Sequence, residues 1–130
     1  MTEHEVVVLD ASALLALLGD EPGADAVIDV LPRAIINTVN LAETVGRLAD
    51  HGMPEPSIRE AIQSLGLDVR PFDEEAAWIA GGLRPKTRSA GLSLGDRACL
   101  AMAKSLGLPV LTADRAWADV DAGIDVRLIR

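Results

Sequence analysis

Apolar residues along this chain fall either in short continuous runs or at spacings of three and four, the pattern of buried strands separated by amphipathic helices. The valine-rich run from Glu5 to Asp10 predicts a first strand, and Ser12 to Leu18 predicts a helix that Gly19 ends. Gly23 to Leu31 has helical spacing, Pro32 stops it, and Ala34 to Asn37 suits a second strand. A third helix is predicted over Leu41 to Asp50 with Asn40 as its cap, and Pro56 opens another that runs to about Ser64, before Gly66. Leu67 to Pro71 predicts a strand and Asp73 to Ile79 a helix. Gly81, Gly82 and Pro85 then predict a mobile loop reaching Gly91, with Arg84, Lys86 and Arg88 on it. Beyond it, Ser93 caps a helix to Leu106, Pro109 to Thr112 is a strand, Asp114 starts a helix, and Asp125 to Ile129 closes as a strand.

Strands alternating with helices imply an α/β fold: a doubly wound, mainly parallel five-stranded sheet with helices on both faces. With no repeat and no internal linker, residues 1–130 are expected to form a single domain. The composition suits that, since 49% hydrophobic residues suffice for an aliphatic core and one cysteine excludes an internal disulfide or thiolate cluster. Cys99 is expected on a buried helix face, and Trp78 and Trp117 in the core. The opening Met-Thr-Glu-His-Glu lacks the positive charge of a secretory signal, so a cytoplasmic location is expected. Asp10, Ser12 and Asp20 break the first apolar region, which argues against a membrane span.

Charge narrows the chemistry. A formal net charge of −8 argues against holding nucleic acid on a broad basic surface, but not against a nuclease whose carboxylates surround a divalent cation. Four acids occupy informative places: Asp10 ends the first strand, Glu43 stands three residues after Asn40, Asp96 three after Ser93, and Asp114 follows the fourth strand. Each has an ordinary use as a helix cap, a capping-box partner or a first-turn carboxylate. Their joint position is more informative, because in a doubly wound sheet these helix starts share one edge and can converge on the crevice where strand order reverses. Two such charges about 4 Å apart repel by ~4 kcal/mol at an effective dielectric near 20, so the cluster calls for a cation. Magnesium, or manganese, suits all-oxygen donors. Zinc does not, since His4 and His51 lack ligand spacing and read as surface residues.

Val8 to Leu18, Asn40 to Val45, Leu92 to Ala101 and Leu111 to Trp117 resemble, in order and spacing, the four acidic motifs of PIN-domain proteins. The resemblance covers essentially the whole chain, and the length is similar to that of the VapC toxins, which pair with an antitoxin. It implies a magnesium-dependent ribonuclease in which Asp10, Glu43, Asp96 and Asp114 form the metal and catalytic set, with Ser12 and Thr112 as accessory hydroxyls. It also implies an RNA substrate, a cognate antitoxin and a homodimer. Asp119 stays outside the metal set. For RNA contacts, Arg84, Lys86 and Arg88 either hold a backbone or are merely solvated, and Arg97 and Arg115 either meet phosphate or pair with the acids they follow.

Rival readings have less support. An aspartyl-phosphate phosphatase would normally want a second Asp two residues after Asp10, where Ser12 stands. A phosphorylation receiver would want adjacent acids near the first strand and a late lysine at a strand end. A metal-binding interaction protein without turnover is separated from the enzyme by an RNA cleavage assay.

Overall fold

A computed structural model describes residues 5–130; His4 lies outside them. The sheet has five strands, β1 (Val7–Leu9), β2 (Ala34–Asn37), β3 (Asp68–Arg70), β4 (Val110–Thr112) and β5 (Val126–Leu128), all parallel, in the order β3-β2-β1-β4-β5. The chain builds outward from β1 through β2 to β3, then returns to the other side of β1 for β4 and β5. Strand order therefore reverses between β1 and β4, and the crevice beyond their carboxyl ends is where such a sheet places a site.

Among the described residues, seven α-helices connect the strands: α1 (Ala11–Leu18), α2 (Ala24–Val30), α3 (Thr38–Asp50), α4 (Glu55–Gln63), α5 (Glu74–Gly82), α6 (Arg84–Thr87) and α7 (Leu94–Leu106). Because successive strand residues point to opposite faces, β1 feeds two cores. Val8, Ile35 and Val110 pack with α7, Ala80, Leu83 and Trp117, while Val7, Leu9, Ala34 and Leu111 pack with Ala13, Val27 and Val30 on the other face. Both faces of the central strands are thus covered, which is why they read as continuous apolar runs.

Four local expectations change. Helix α3 starts earlier than predicted, at Thr38, and its cap is Asn37, whose side-chain oxygen accepts from the Asn40 amide at 2.9 Å. The predicted mobile loop is largely helical: Gly81 and Gly82 finish α5, and α6 is anchored by buried Leu83 and Thr87, the Thr87 hydroxyl donating to the Leu83 carbonyl at 2.9 Å. Asp114 starts a 3-10 turn over Arg115–Asp119 rather than an α-helix. Trp117 and Cys99 are buried, whereas Trp78 is 70% exposed on α5, its ring nitrogen donating to Glu74 at 3.3 Å. Among the described residues no helix is long and apolar enough to cross a membrane.

Candidate active site

Two cavities stand out. The larger, about 380 Å³, lies between α3, α4 and β3 and is walled by Leu41, Val45, Ile58, Ile62, Leu67 and Val69. Its Arg59 is paired with Glu55 at 2.8 Å, so it offers little reactive chemistry. The smaller, about 290 Å³, opens at the β1/β4 switch point and is lined by Asp10, Ser12, Glu43, Arg47, Ser93, Asp96 and Asp114, with Ala11 and Leu15. All four predicted acids meet there.

One wall is made of strand ends. Asp10 leaves β1 in an extended conformation and caps α1, its Oδ1 accepting from the Ala13 amide at 2.8 Å. Thr112, at the end of the neighbouring β4, donates its hydroxyl to Asp10 Oδ2 at 2.6 Å, and the Ser12 hydroxyl lies 2.8 Å from both carboxylate oxygens. Each hydroxyl is in turn oriented by a backbone donor, Ala113 N–H to Ser12 at 2.9 Å and Asp114 N–H to Thr112 at 3.1 Å. Burial nevertheless wins: Asp10 is 3% exposed, and loss of solvation pushes its pKa up from 3.8 to about 6. The hydrogen bonds from Thr112, Ala13 and Ser12 pull it back down only in part, and the charge of Asp96 adds to the rise. Asp114 is exposed and caps the following turn, accepting from the Ala116 amide at 3.0 Å.

The other wall is made of helix starts. Ser93 caps α7 in a full capping box: its hydroxyl accepts from the Asp96 amide at 3.2 Å, and Asp96 Oδ2 accepts from the Ser93 amide at 2.9 Å. Glu43 projects from the first half of α3 toward the first turn of α7, so close to the α-carbon of Gly95 that a β-carbon there would collide with its carboxylate. Asn40 bridges the two helices, its side-chain amide donating to Glu43 Oε1 at 2.8 Å and to the Gly95 carbonyl at 3.0 Å. The spacing of Asn40 and Glu43 also suits a capping box, but the contact formed is with the Asn40 side chain rather than its backbone.

Other predicted residues are placed elsewhere. Thr112 is buried behind Asp10 and meets the crevice through Asp10 and through Ser12, whose hydroxyl lies 3.2 Å from its own. Arg97 points away, 8% exposed, with Nη1 donating to the Ala80 carbonyl at 3.2 Å; a side chain buried against α5 is not available to phosphate. Arg84, Lys86, Arg88 and Arg115 are exposed but do not line the crevice, and neither does Asp119. Neither Arg97 nor Arg115 forms an ion pair with the acid it follows, among the described residues.

Arg47 was missed by the sequence reading. It is the one cation lining the crevice among the described residues, and it makes no side-chain hydrogen bond or ion pair among them. The signal was present, since Arg47 follows Glu43 by four and residues so spaced share a helix face.

A sequence model of the PIN domain matches residues 7–123, a span that includes all four acids. The chain belongs to the PIN domain family. No curated protein shows significant sequence similarity to it. Among solved structures, this PIN domain superposes on DNA-bound VapBC from Salmonella typhimurium with a TM-score of 0.76 at 20% identity, covering 97% of this chain and 99% of that one. A toxin-antitoxin complex from Klebsiella pneumoniae gives 0.74 at 17% identity, with 95% and 98% covered. VapBC-5 from Mycobacterium tuberculosis, a member of the VapBC family of toxin-antitoxin systems, gives 0.58 at 25% identity, with 96% and 98% covered. PIN domains are nucleases, and the crevice of this one carries the carboxylate chemistry that phosphodiester hydrolysis uses.

Divalent metal suits this donor set, which is all oxygen, with no histidine or cysteine lining the crevice. Among the described residues, no three acidic, histidine or cysteine side chains close into a ready metal cage. Magnesium does not require one, because it usually keeps several waters and takes one or two carboxylates directly.

Proposed function

We propose that this PIN domain is a magnesium-dependent endoribonuclease, the toxin of a toxin–antitoxin pair, acting in the cytoplasm. The observation that carries this reading is the convergence of Asp10, Glu43, Asp96 and Asp114, from four separate segments, on one crevice at the switch point of the sheet. Asp10, Asp96 and Asp114 would hold magnesium or manganese, directly or through water, and Glu43 would share it. When bound, the ion supplies positive charge against the oxyanions that develop in phosphodiester hydrolysis.

The protein's own residues supply position and proton transfer. Glu43 has one carboxylate oxygen on Asn40, while no hydrogen bond to its Oε2 is formed among the described residues. That oxygen is free to orient the attacking water and accept its proton. Arg47, uncommitted and at the mouth of the same crevice, meets a phosphate of the bound strand. Arg84, Lys86, Arg88 and Arg115 are exposed and available to more distant phosphates. At −8 overall, the chain should bind RNA weakly until its carboxylates are neutralised.

Support for the toxin role comes from the solved neighbours, which include a toxin-antitoxin complex and VapBC assemblies. An antitoxin for this chain would carry arginine or lysine suited to its acidic surface, and a homodimer is the expected assembly. Incubation of the purified, partner-free protein with total cellular RNA, with and without magnesium, tests the activity. New ends, mapped by sequencing, should arise only with the metal; intact RNA under both conditions would refute it.

A further inference from the structure

We infer that Asn40 is a positioning residue, whose side-chain amide holds Glu43 and the first turn of α7, and thereby Asp96, in one register. The inference rests on the crevice being a metal site.

Helix capping does not need this side chain. Asn37 supplies the cap of α3, which leaves Asn40 inside the helix with an amide its own backbone does not require. The residue is 1% exposed, where an unpaired amide is costly, yet every hydrogen-bonding group of that amide is engaged. One Nδ2 hydrogen goes to Glu43 Oε1 at 2.8 Å, the other to the Gly95 carbonyl at 3.0 Å, and Oδ1 accepts from Asn37 Nδ2 at 2.7 Å. Flipping the amide would set its oxygen against a carboxylate and a carbonyl, and its nitrogen against the Asn37 amide donor. The network therefore allows one orientation.

That orientation bears on the crevice in two ways. Glu43 is an exposed side chain on a helix face, and fixing such a chain costs conformational entropy that a metal would otherwise have to offset on binding. The Asn40 bond, with the bare α-carbon of Gly95 beneath the carboxylate, fixes it in advance. Gly95 directly precedes Asp96, so the same amide ties the start of α7 to α3. A neutral donor also leaves Glu43 its negative charge, whereas a lysine or arginine here would compete with the cation. Hydrogen bonds that orient metal-binding carboxylates typically carry about 10–100-fold in metal affinity.

The test measures manganese and magnesium affinity of the full chain, by calorimetry and by metal-induced melting shifts, for wild type, N40A, E43Q and the N40A/E43Q double variant, with RNA cleavage alongside. N40A should weaken metal binding about 10–100-fold. In the E43Q background the same change should cost clearly less than in wild type, because the part of Asn40's effect that runs through Glu43 is already gone and only the part through the start of α7 remains; a merely structural role would not produce that non-additivity. N40D keeps the side-chain shape but removes both donors and faces Glu43 with a like charge; it should lose metal affinity as well, and serves where N40A fails to fold. Wild-type metal affinity in a folded N40A or N40D, or fully additive effects with E43Q, overturns the inference alone. A wild-type chain with no metal-dependent shift and no cleavage overturns the metal site and this inference with it.

Discussion

The two walls of the crevice hold their carboxylates by opposite means. The strand wall buries Asp10 among three donors at the meeting of β1 and β4, and burial raises its pKa to about 6. The helix wall leaves Glu43 exposed and Asp96 half-buried, and holds them through a bridging amide and a capping box. An enclosed acid of raised pKa therefore faces acids more open to solvent. Under the proposed function, the former would set where a cation sits and the latter would adjust as substrate arrives. Changes on the strand wall should act mainly on charge, and changes on the helix wall mainly on geometry.

The largest expected effect is on the strand wall. Asp10→Asn removes the most enclosed charge and should lower magnesium-dependent RNA cleavage by at least about a hundredfold, the scale for deleting one group that stabilises a transition state. Cleavage within a few-fold of wild type would remove Asp10 from the site. On the helix wall, Gly95→Ala adds one methyl group under the Glu43 carboxylate. It should cost roughly tenfold or more in metal affinity, as disturbance of a carboxylate's supporting contacts usually does, with the helix kept. Calorimetry on a folded variant checks this, and unchanged affinity would show that Glu43 need not lie against α7.

Acidity separates the walls further. Asp10 titrates near 6 in the folded chain and near 3.8 unfolded, so between those values the folded state holds the extra proton. Its contribution to metal-free stability is present below about pH 4 and is lost as pH rises through about 6. Subtracting the melting profile of Asp10→Asn from that of wild type should isolate this slope, and parallel profiles would contradict the burial account. The smallest effect belongs to Arg47→Ala, which should raise KM a few-fold and reduce the salt slope of RNA binding by roughly one phosphate contact. An unchanged slope would make Arg47 a solvated rim residue.

Much of this arrangement was legible from residue pattern, for physical reasons that differ by wall. Strand ends were readable because buried parallel strands are continuous apolar runs that stop at the first polar residue, which placed Asp10 and Thr112 correctly. The Ser93–Asp96 box was readable because capping is local. Asn40 was misread because Asn37 and Asn40 both suit a cap, and it is Asn37, the last residue of β2, that takes it. Gly95 left no local sign, since its role depends on the approach of another helix. The 81–91 segment misled because glycines and a proline mark a loop on propensity alone, whereas burial of Leu83 and Thr87 stabilises a helical turn there. Arg97 could not be placed by adjacency to Asp96, because neighbouring helix residues point about 100° apart.

The central claim is that these acids act together as one metal-dependent catalytic centre, and Asp96→Asn tests it most directly. Asparagine keeps the shape of the capping box, and its cost of roughly 0.3–1 kcal/mol at a helix start is opposed by relief of carboxylate repulsion. Without metal, both proteins should therefore melt at similar temperatures. Saturating magnesium should raise the melting temperature of wild type more than that of the variant, and only wild type should cleave RNA. A folded Asp96→Asn protein that cleaves RNA at the wild-type rate with the same magnesium shift would contradict the account.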